Sequence, residues 1–109
     1  MKLIIAIVQD EDASRLINAL MTEGYRVTKL ATTGGFLRSG NTMLLVGVED
    51  DKLENAMSVI EKVCKSRKQV ATSPSPMSGT TGVYVPYPVE VMVGGATIFV
   101  LDVEQFTKI

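Results

Sequence analysis

Apolar residues recur along this chain at two spacings, and the spacing switches where the elements switch. Residues 2–9, KLIIAIVQ, form a short β-rich apolar run that predicts a first strand. Beyond it, Leu16, Ile17, Leu20 and Met21 fall on one face of a helix, with Asp10 and Asp12 placed to cap its start and Gly24 placed at its C-terminal cap. Tyr25 to Leu30 alternates aromatic and β-branched residues as a second strand does, and Thr42 to Val48 predicts a third. A second helix is drawn by Leu53, Ala56, Met57, Ile60, Val63 and Cys64, headed by Asp51 and Glu54 at the spacing of a capping box. Residues 66–88, SRKQVATSPSPMSGTTGVYVPYP, are rich in Ser, Thr, Pro and Gly and predict a long loop. A fourth strand is expected from about Val89 to Val103, interrupted at Gly94-Gly95 by a bulge or a close backbone approach.

The order is β-α-β-β-α-β, so the expected fold class is α+β: a ferredoxin-like antiparallel sheet with two helices on one face. In such a fold the other sheet face should be polar at every second strand position. It is not, because LIIAIV in the first strand and MLLVGV in the third are apolar at both parities. A continuous apolar sheet face needs a cover, and the chain offers no third helix. Further copies of the same chain in a closed homo-oligomer are the expected cover; the 66–88 loop folded over the sheet is the rival.

Length and composition narrow the function. The chain has 109 residues, 46% hydrophobic and 21% charged, enough for one domain with its own core, expected to span 1–109. A net charge of −1 supplies no basic field for nucleic acid and no polybasic membrane anchor. The chain has no histidine and a single cysteine, Cys64, which removes Ser–His and Cys–His nucleophile pairs and leaves almost nothing for a zinc site. The opening apolar run is too short for a signal peptide or a membrane span, and a cytoplasmic location is expected. Cys64 itself falls on the apolar face of the second helix, as a small core residue would.

The stretch ATTGGFLRSGN, residues 31–41, concentrates the candidate chemistry. From Gly24 to Val48 there is no acid, while Arg26, Lys29 and Arg38 bring three positive charges, so the remainder of the chain carries −4. Local positive potential in an acidic chain marks a focused anion site. Arg26 can grip phosphate with two parallel hydrogen bonds, and Gly34, Gly35 and Gly40 allow backbone N–H groups to turn toward an anion. Phe36 offers a face on which a base can stack, and Asn41 can read an adenine edge. Taken together these residues describe a purine nucleotide with its phosphate. Taken singly they also fit plainer roles: a hairpin loop for Gly34-Gly35, a packed side chain for Phe36, a solvated charge for Arg38. Gly47 inside an apolar strand is read equally well as a close approach of a ligand or as sheet packing. Glu49, Asp50 and Asp51 are read as helix-capping residues rather than a catalytic carboxylate cluster.

Beyond its chemistry, the segment TKLATTGGFLRSGNT is distinctive as a string. With the opening KLIIAIVQD, the GVEDD before the second helix and the closing VPYPVEVMVGGATIFVLDVEQF, it resembles the PII-like cyclic di-AMP receptor proteins, small cytosolic signal-transduction proteins of bacteria. That resemblance runs over almost the whole chain. It implies a non-enzymatic homotrimer with its sheets facing inward, cyclic di-AMP as ligand in each cleft between subunits, no cofactor or metal, and a downstream protein partner it does not identify. It also implies a short loop at 33–41, a long loop at 66–88, and a ligand-dependent change in their conformation. Carried over by position, Arg26 and Thr28 would contact phosphate, Phe36 and Leu37 would line an adenine pocket, and Gly35 and Gly47 would give backbone contacts. Asn41 would hydrogen-bond an adenine, and Phe99 would pack nearby. The residues depart from the pattern at Gly24, where relatives often have an Asn-like side chain, and at Lys108, where some have Gln.

Two alternative functions fit the residues less well. A PII-type sensor of ATP and 2-oxoglutarate fits poorly with a short loop after the second strand. An acylphosphatase-like enzyme would need its phosphate cradle between the first strand and first helix, where this chain has Gln9-Asp10-Glu11-Asp12.

Overall fold

A computed structural model describes residues 1–30, 40–76 and 84–109, with the backbone alone described at 71–76 and 84–87. The elements run β1 (Lys2–Gln9), α1 (Asp10–Thr22), β2 (Val27–Leu30), β3 (Asn41–Val48), a 3₁₀ turn (Asp50–Lys52), α2 (Leu53–Cys64), β4 (Arg67–Pro76), β5 (Tyr84–Val93) and β6 (Ala96–Asp102). Four strands form an antiparallel sheet in the order β2-β3-β1-β6, the order expected of a ferredoxin-like fold with β6 as its fourth strand.

The core lies between that sheet and the two helices. Alternate strand residues supply its floor: Ile4, Ala6 and Val8 from β1, with Leu44, Val46 and Val48 from β3. The helices close it with Ala13, Leu16 and Leu20 from α1 and Ala56, Ile60 and Cys64 from α2, spaced at three and four as the sequence period requires. Burial of each large aliphatic side chain contributes about 1.5–3 kcal/mol. Helix α1 ends at a left-handed glycine. Gly24 has φ +91°, its N–H donates to Met21 O at 2.9 Å, and the Tyr25 N–H donates to Leu20 O at 3.0 Å. This is a Schellman motif, and it turns Tyr25 into the core. Strand β2 consequently starts at Val27, two residues later than the alternation suggests.

Three expectations need correction. The first concerns the long loop. Residues 67–76 pair antiparallel with 84–93 as a separate two-stranded ribbon, from Arg67 opposite Val93 to Pro76 opposite Tyr84, so the described residues form six strands in two sheets. Proline fits there because each strand of a two-stranded ribbon has an outward edge where no N–H is required. Residues 89–93, assigned from sequence to a strand of the main sheet, belong to this ribbon instead. The Gly94-Gly95 interruption is where one sheet passes into the other, and a close approach explains it. A Cβ on Gly94 would sit 2.7 Å from Lys65 O and 2.9 Å from Cys64 O, at a φ of +86°.

The second correction concerns Asp10 and Asp12. No side chain caps α1. The Asp10 carboxylate accepts a hydrogen bond from the Thr42 hydroxyl, tying α1 to β3. Asp12 is wholly buried and accepts from Arg15 Nη2 at 2.7 Å and Arg67 Nη2 at 2.8 Å. These hydrogen bonds, Arg67's foremost, hold its carboxyl below the usual carboxylate range against the opposing effect of burial. Thirdly, Asp51 and Glu54 make no capping box, since the 3₁₀ turn enters α2 with no side-chain cap.

The sheet face away from the helices is apolar, as the parity of β1 and β3 implies. Leu3, Ile5 and Ile7 of β1 share it with Met43 and Leu45 of β3 and with Phe99 and Leu101 of β6. Among the described residues no helix lies over this face. Phe99 is 53% and Leu101 48% exposed. Burial also pushes the Cys64 thiol up to about 11, so the lone cysteine is a packed core group.

Candidate functional site

A cavity of about 590 Å³ opens where β1 begins and β3 ends, at one end of the apolar face. Its size is that of a small-ligand site. Three of the sequence-selected residues meet in it: Arg26, Thr28 and Gly47. The local fold explains the meeting. The Schellman turn at Gly24 sends Tyr25 inward and leaves Arg26 exposed just before β2. Register then places Val27 opposite Val46 and Thr28 opposite Leu45, so Arg26 arrives beside Gly47.

Apolar walls come from Leu3, Leu45 and Val103, and polar groups from Lys52 and Glu49. Tyr25 stiffens the floor. Its hydroxyl donates to Lys52 O at 3.2 Å and accepts from Asn55 Nδ2 at 2.6 Å, which fixes the 3₁₀ turn against α2. Among the described residues neither Arg26 nor Lys52 has an ion-pair partner. Two uncompensated cations beside one acid, in a partly apolar cleft, suit an anion with an apolar body.

The remaining candidates divide. Thr28, Asn41, Gly47 and Phe99 all fall on the apolar face by register, opposite Leu45, Gln9, Leu3 and Ile5 respectively. Asn41, expected at the end of a loop, is the first residue of β3. It lies six residues from Gly47 along that strand, about 20 Å away. Phe99 sits on the same face but outside the cavity lining. Gly35, Phe36 and Leu37, with Gly34 and Arg38, lie outside the described residues, as does most of the 33–41 loop. A side chain at Gly47 would meet the tip of Met1 at 3.2 Å and would intrude on the cavity.

Sequence reasoning missed Lys52, Glu49, Val103 and Phe106, all of which line the cavity. The parity of β1 and β3 flags Leu3 and Leu45 as open-face residues, but nothing local marks Phe106. It reaches the site only because β6 pairs with β1 and the Val103 N–H then donates to Met1 O at 3.1 Å.

A family model described as the cyclic-di-AMP receptor matches residues 1–109, the whole length. The chain belongs to the cyclic-di-AMP receptor family. Its sequence and fold are also similar to the crystal structure of a functionally unknown protein from Pediococcus pentosaceus ATCC 25745. The identity is 41% and the TM-score 0.78, over 99% of this chain and 96% of that one. Cyclic di-AMP is thus the family's ligand. Among the described residues no group of three His, Cys, Asp or Glu side chains could hold a metal ion. No described helix is long and apolar enough to cross a membrane.

Proposed function

We propose that this chain is a non-enzymatic, PII-like cytoplasmic receptor. As a single domain it assembles into a homotrimer and holds cyclic di-AMP in the clefts between neighbouring subunits. One observation carries the reading: the cationic cavity with Arg26, Thr28 and Gly47 opens onto the apolar sheet face that needs a cover. A neighbouring subunit covering that face would also wall the cavity. Arg26 and Thr28 then bind phosphate, Phe36 and Leu37 enclose an adenine, Gly35 and Gly47 give backbone contacts, Asn41 hydrogen-bonds an adenine, and Phe99 packs nearby. Because Asn41 and Gly47 stand at opposite ends of β3, the reading assigns the two ends of one subunit to two different clefts. Acidic side chains at the β1–α1 junction, already engaged by Thr42, Arg15 and Arg67, weigh against the phosphatase alternative.

Ligand binding shifts the conformations of the 33–41 loop and the 66–88 segment, and so changes which downstream protein the trimer engages. A ligand acts this way only through different affinities for the two loop states. Titration calorimetry with cyclic di-AMP, ATP and cyclic di-GMP, run beside native mass spectrometry, tests the proposal. Selective binding of cyclic di-AMP, three per trimer, is expected. Equal or absent binding of all three nucleotides, or a monomer at micromolar concentration, would end it.

A further inference from the structure

Phe106 is an aromatic side chain left in water while it lines a cavity that also holds two cationic side chains, Arg26 and Lys52. It is 65% exposed, yet it lines the same space as Arg26, Thr28, Lys52, Leu3 and Leu45. It stands on a segment without helix or strand, 103–109, that follows β6. That segment is fastened at its start by the Val103 N–H to Met1 O bond, and Val103 lines the cavity too. The other described aromatic in the cavity, Tyr25, is buried, with its hydroxyl engaged by Lys52 O and Asn55. Phe106 is therefore the one described aromatic ring in the cavity with a face to offer.

We infer that Phe106 is a base-stacking residue of the ligand site, carried by the C-terminal segment, and that it sets the preference for a ligand with a planar ring beside its phosphate. The inference rests on the receptor reading above and adds a contact which that reading lacks. A cavity lined by a flat apolar ring and by a guanidinium with no ion-pair partner among the described residues suits a ligand that is planar at one end and anionic at the other. Stacking of a base on an aromatic side chain is sequence-tolerant and strong enough to be measured by substitution.

The chain contains no tryptophan, so Phe106→Trp installs a single reporter at the site. Cyclic di-AMP binding is measured by calorimetry for the wild type and for Phe106→Ala, Phe106→Leu and Phe106→Trp, with subunit number followed by native mass spectrometry. The expected result is a loss of about tenfold to hundredfold for Ala, from the usual worth of one stacked base. Leu, which keeps apolar bulk without a flat face, should fall close to Ala. Trp should bind near wild-type strength, with its emission changing in step with the calorimetric stoichiometry. Wild-type affinity in the Ala variant, or Trp emission indifferent to saturating ligand, overturns the inference while leaving the receptor reading intact. Loss of the wild-type subunit number in the Ala and Leu variants overturns it in favour of a subunit contact. Failure of the wild type to bind cyclic di-AMP removes the receptor reading and the inference with it.

Discussion

Asp12→Asn should cost this protein about 2 kcal/mol of stability at neutral pH. Asp12 is wholly buried, and its carboxylate takes hydrogen bonds from Arg15 within α1 and from Arg67 at the first position of β4. The figure follows from what each group can do after the change. Breaking a buried ion pair typically costs about 3–5 kcal/mol when it strands a buried charge. Here the stranded charges are both guanidiniums with part of their surface in water, so they rehydrate. The asparagine oxygen still accepts one bond, which leaves the loss of charge assistance as the main term. For a domain near 100 residues that loss lowers the melting temperature by roughly 8 °C. Urea or thermal unfolding at one fixed protein concentration measures it. The pH dependence supplies a second check. The folded-state carboxyl is held below its unfolded value of 3.8, chiefly by Arg67, so the unfolded chain binds more protons there. The contribution is accordingly complete above about pH 5, roughly one unit over the unfolded value, and is lost as pH falls through the folded value. The gap between wild type and variant should stay constant from pH 5 to neutrality and close in stronger acid. A gap below ~0.5 kcal/mol at neutral pH, or one that widens on acidification, refutes the reasoning.

Three further outcomes are expected. Arg26→Ala should weaken cyclic di-AMP binding by about 1.5–3 kcal/mol, the worth of a charge-assisted hydrogen bond, while native mass spectrometry reports unchanged assembly. Gly94→Ala and Gly24→Ala should separate although both glycines have positive φ. Gly94 faces the Lys65 and Cys64 carbonyls and should lose about 3 kcal/mol, whereas Gly24 has open space and should lose only the ~1 kcal/mol of left-handed strain, as read by urea unfolding. Leu101→Lys places a charge on the apolar sheet face opposite Leu3; on the proposed assembly it should yield monomers in native mass spectrometry, and an intact trimer would argue against that face as the interface.

How much of this was legible in the sequence depends on whether the information was local. The parity of β1 and β3 is a two-residue signal, and it correctly announced an apolar second face. The helix faces were nearly as plain, since Leu16, Leu20, Ala56, Ile60 and Cys64 repeat at helical spacing and all are buried, although Met21, assigned to the same face of α1, is exposed. Composition misled at 66–88, because proline and serine mark loops in general but cost little on a ribbon with two outward edges. Charge pattern misled at Asp12, whose position at a helix start imitates a cap. Its partner Arg67 is 55 residues away, so only the tertiary fold reveals the pair. The acid-free stretch pointed to Arg26, which lines the cavity. Phe106 and Lys52 were not, because their place in the cavity depends on how β6 and the 3₁₀ turn close against the ends of β1 and β3.

The geometry also bears on how a receptor of this design would couple its ligand to its assembly. Leu3 and Leu45 belong both to the apolar face and to the cavity wall. On the proposed reading, a subunit that covers the face therefore also closes the space beside Arg26, so assembly and ligand binding draw on the same side chains. A ligand bound only in that closed state stabilises it by RT ln(1 + [L]/Kd), about 2.7 kcal/mol at a hundredfold excess over Kd. On the same reading, the ribbon of β4 and β5 would form the output side. It joins the body at Arg67 on buried Asp12 and at Gly94, whose N–H donates to Gln9 Oε1 at 2.7 Å. Both anchors lie at the β1–α1 junction, where the Asp10 carboxylate holds the second residue of β3, Thr42. A shift at the Asn41 end of β3 has only that junction to cross before it reaches the root of the ribbon.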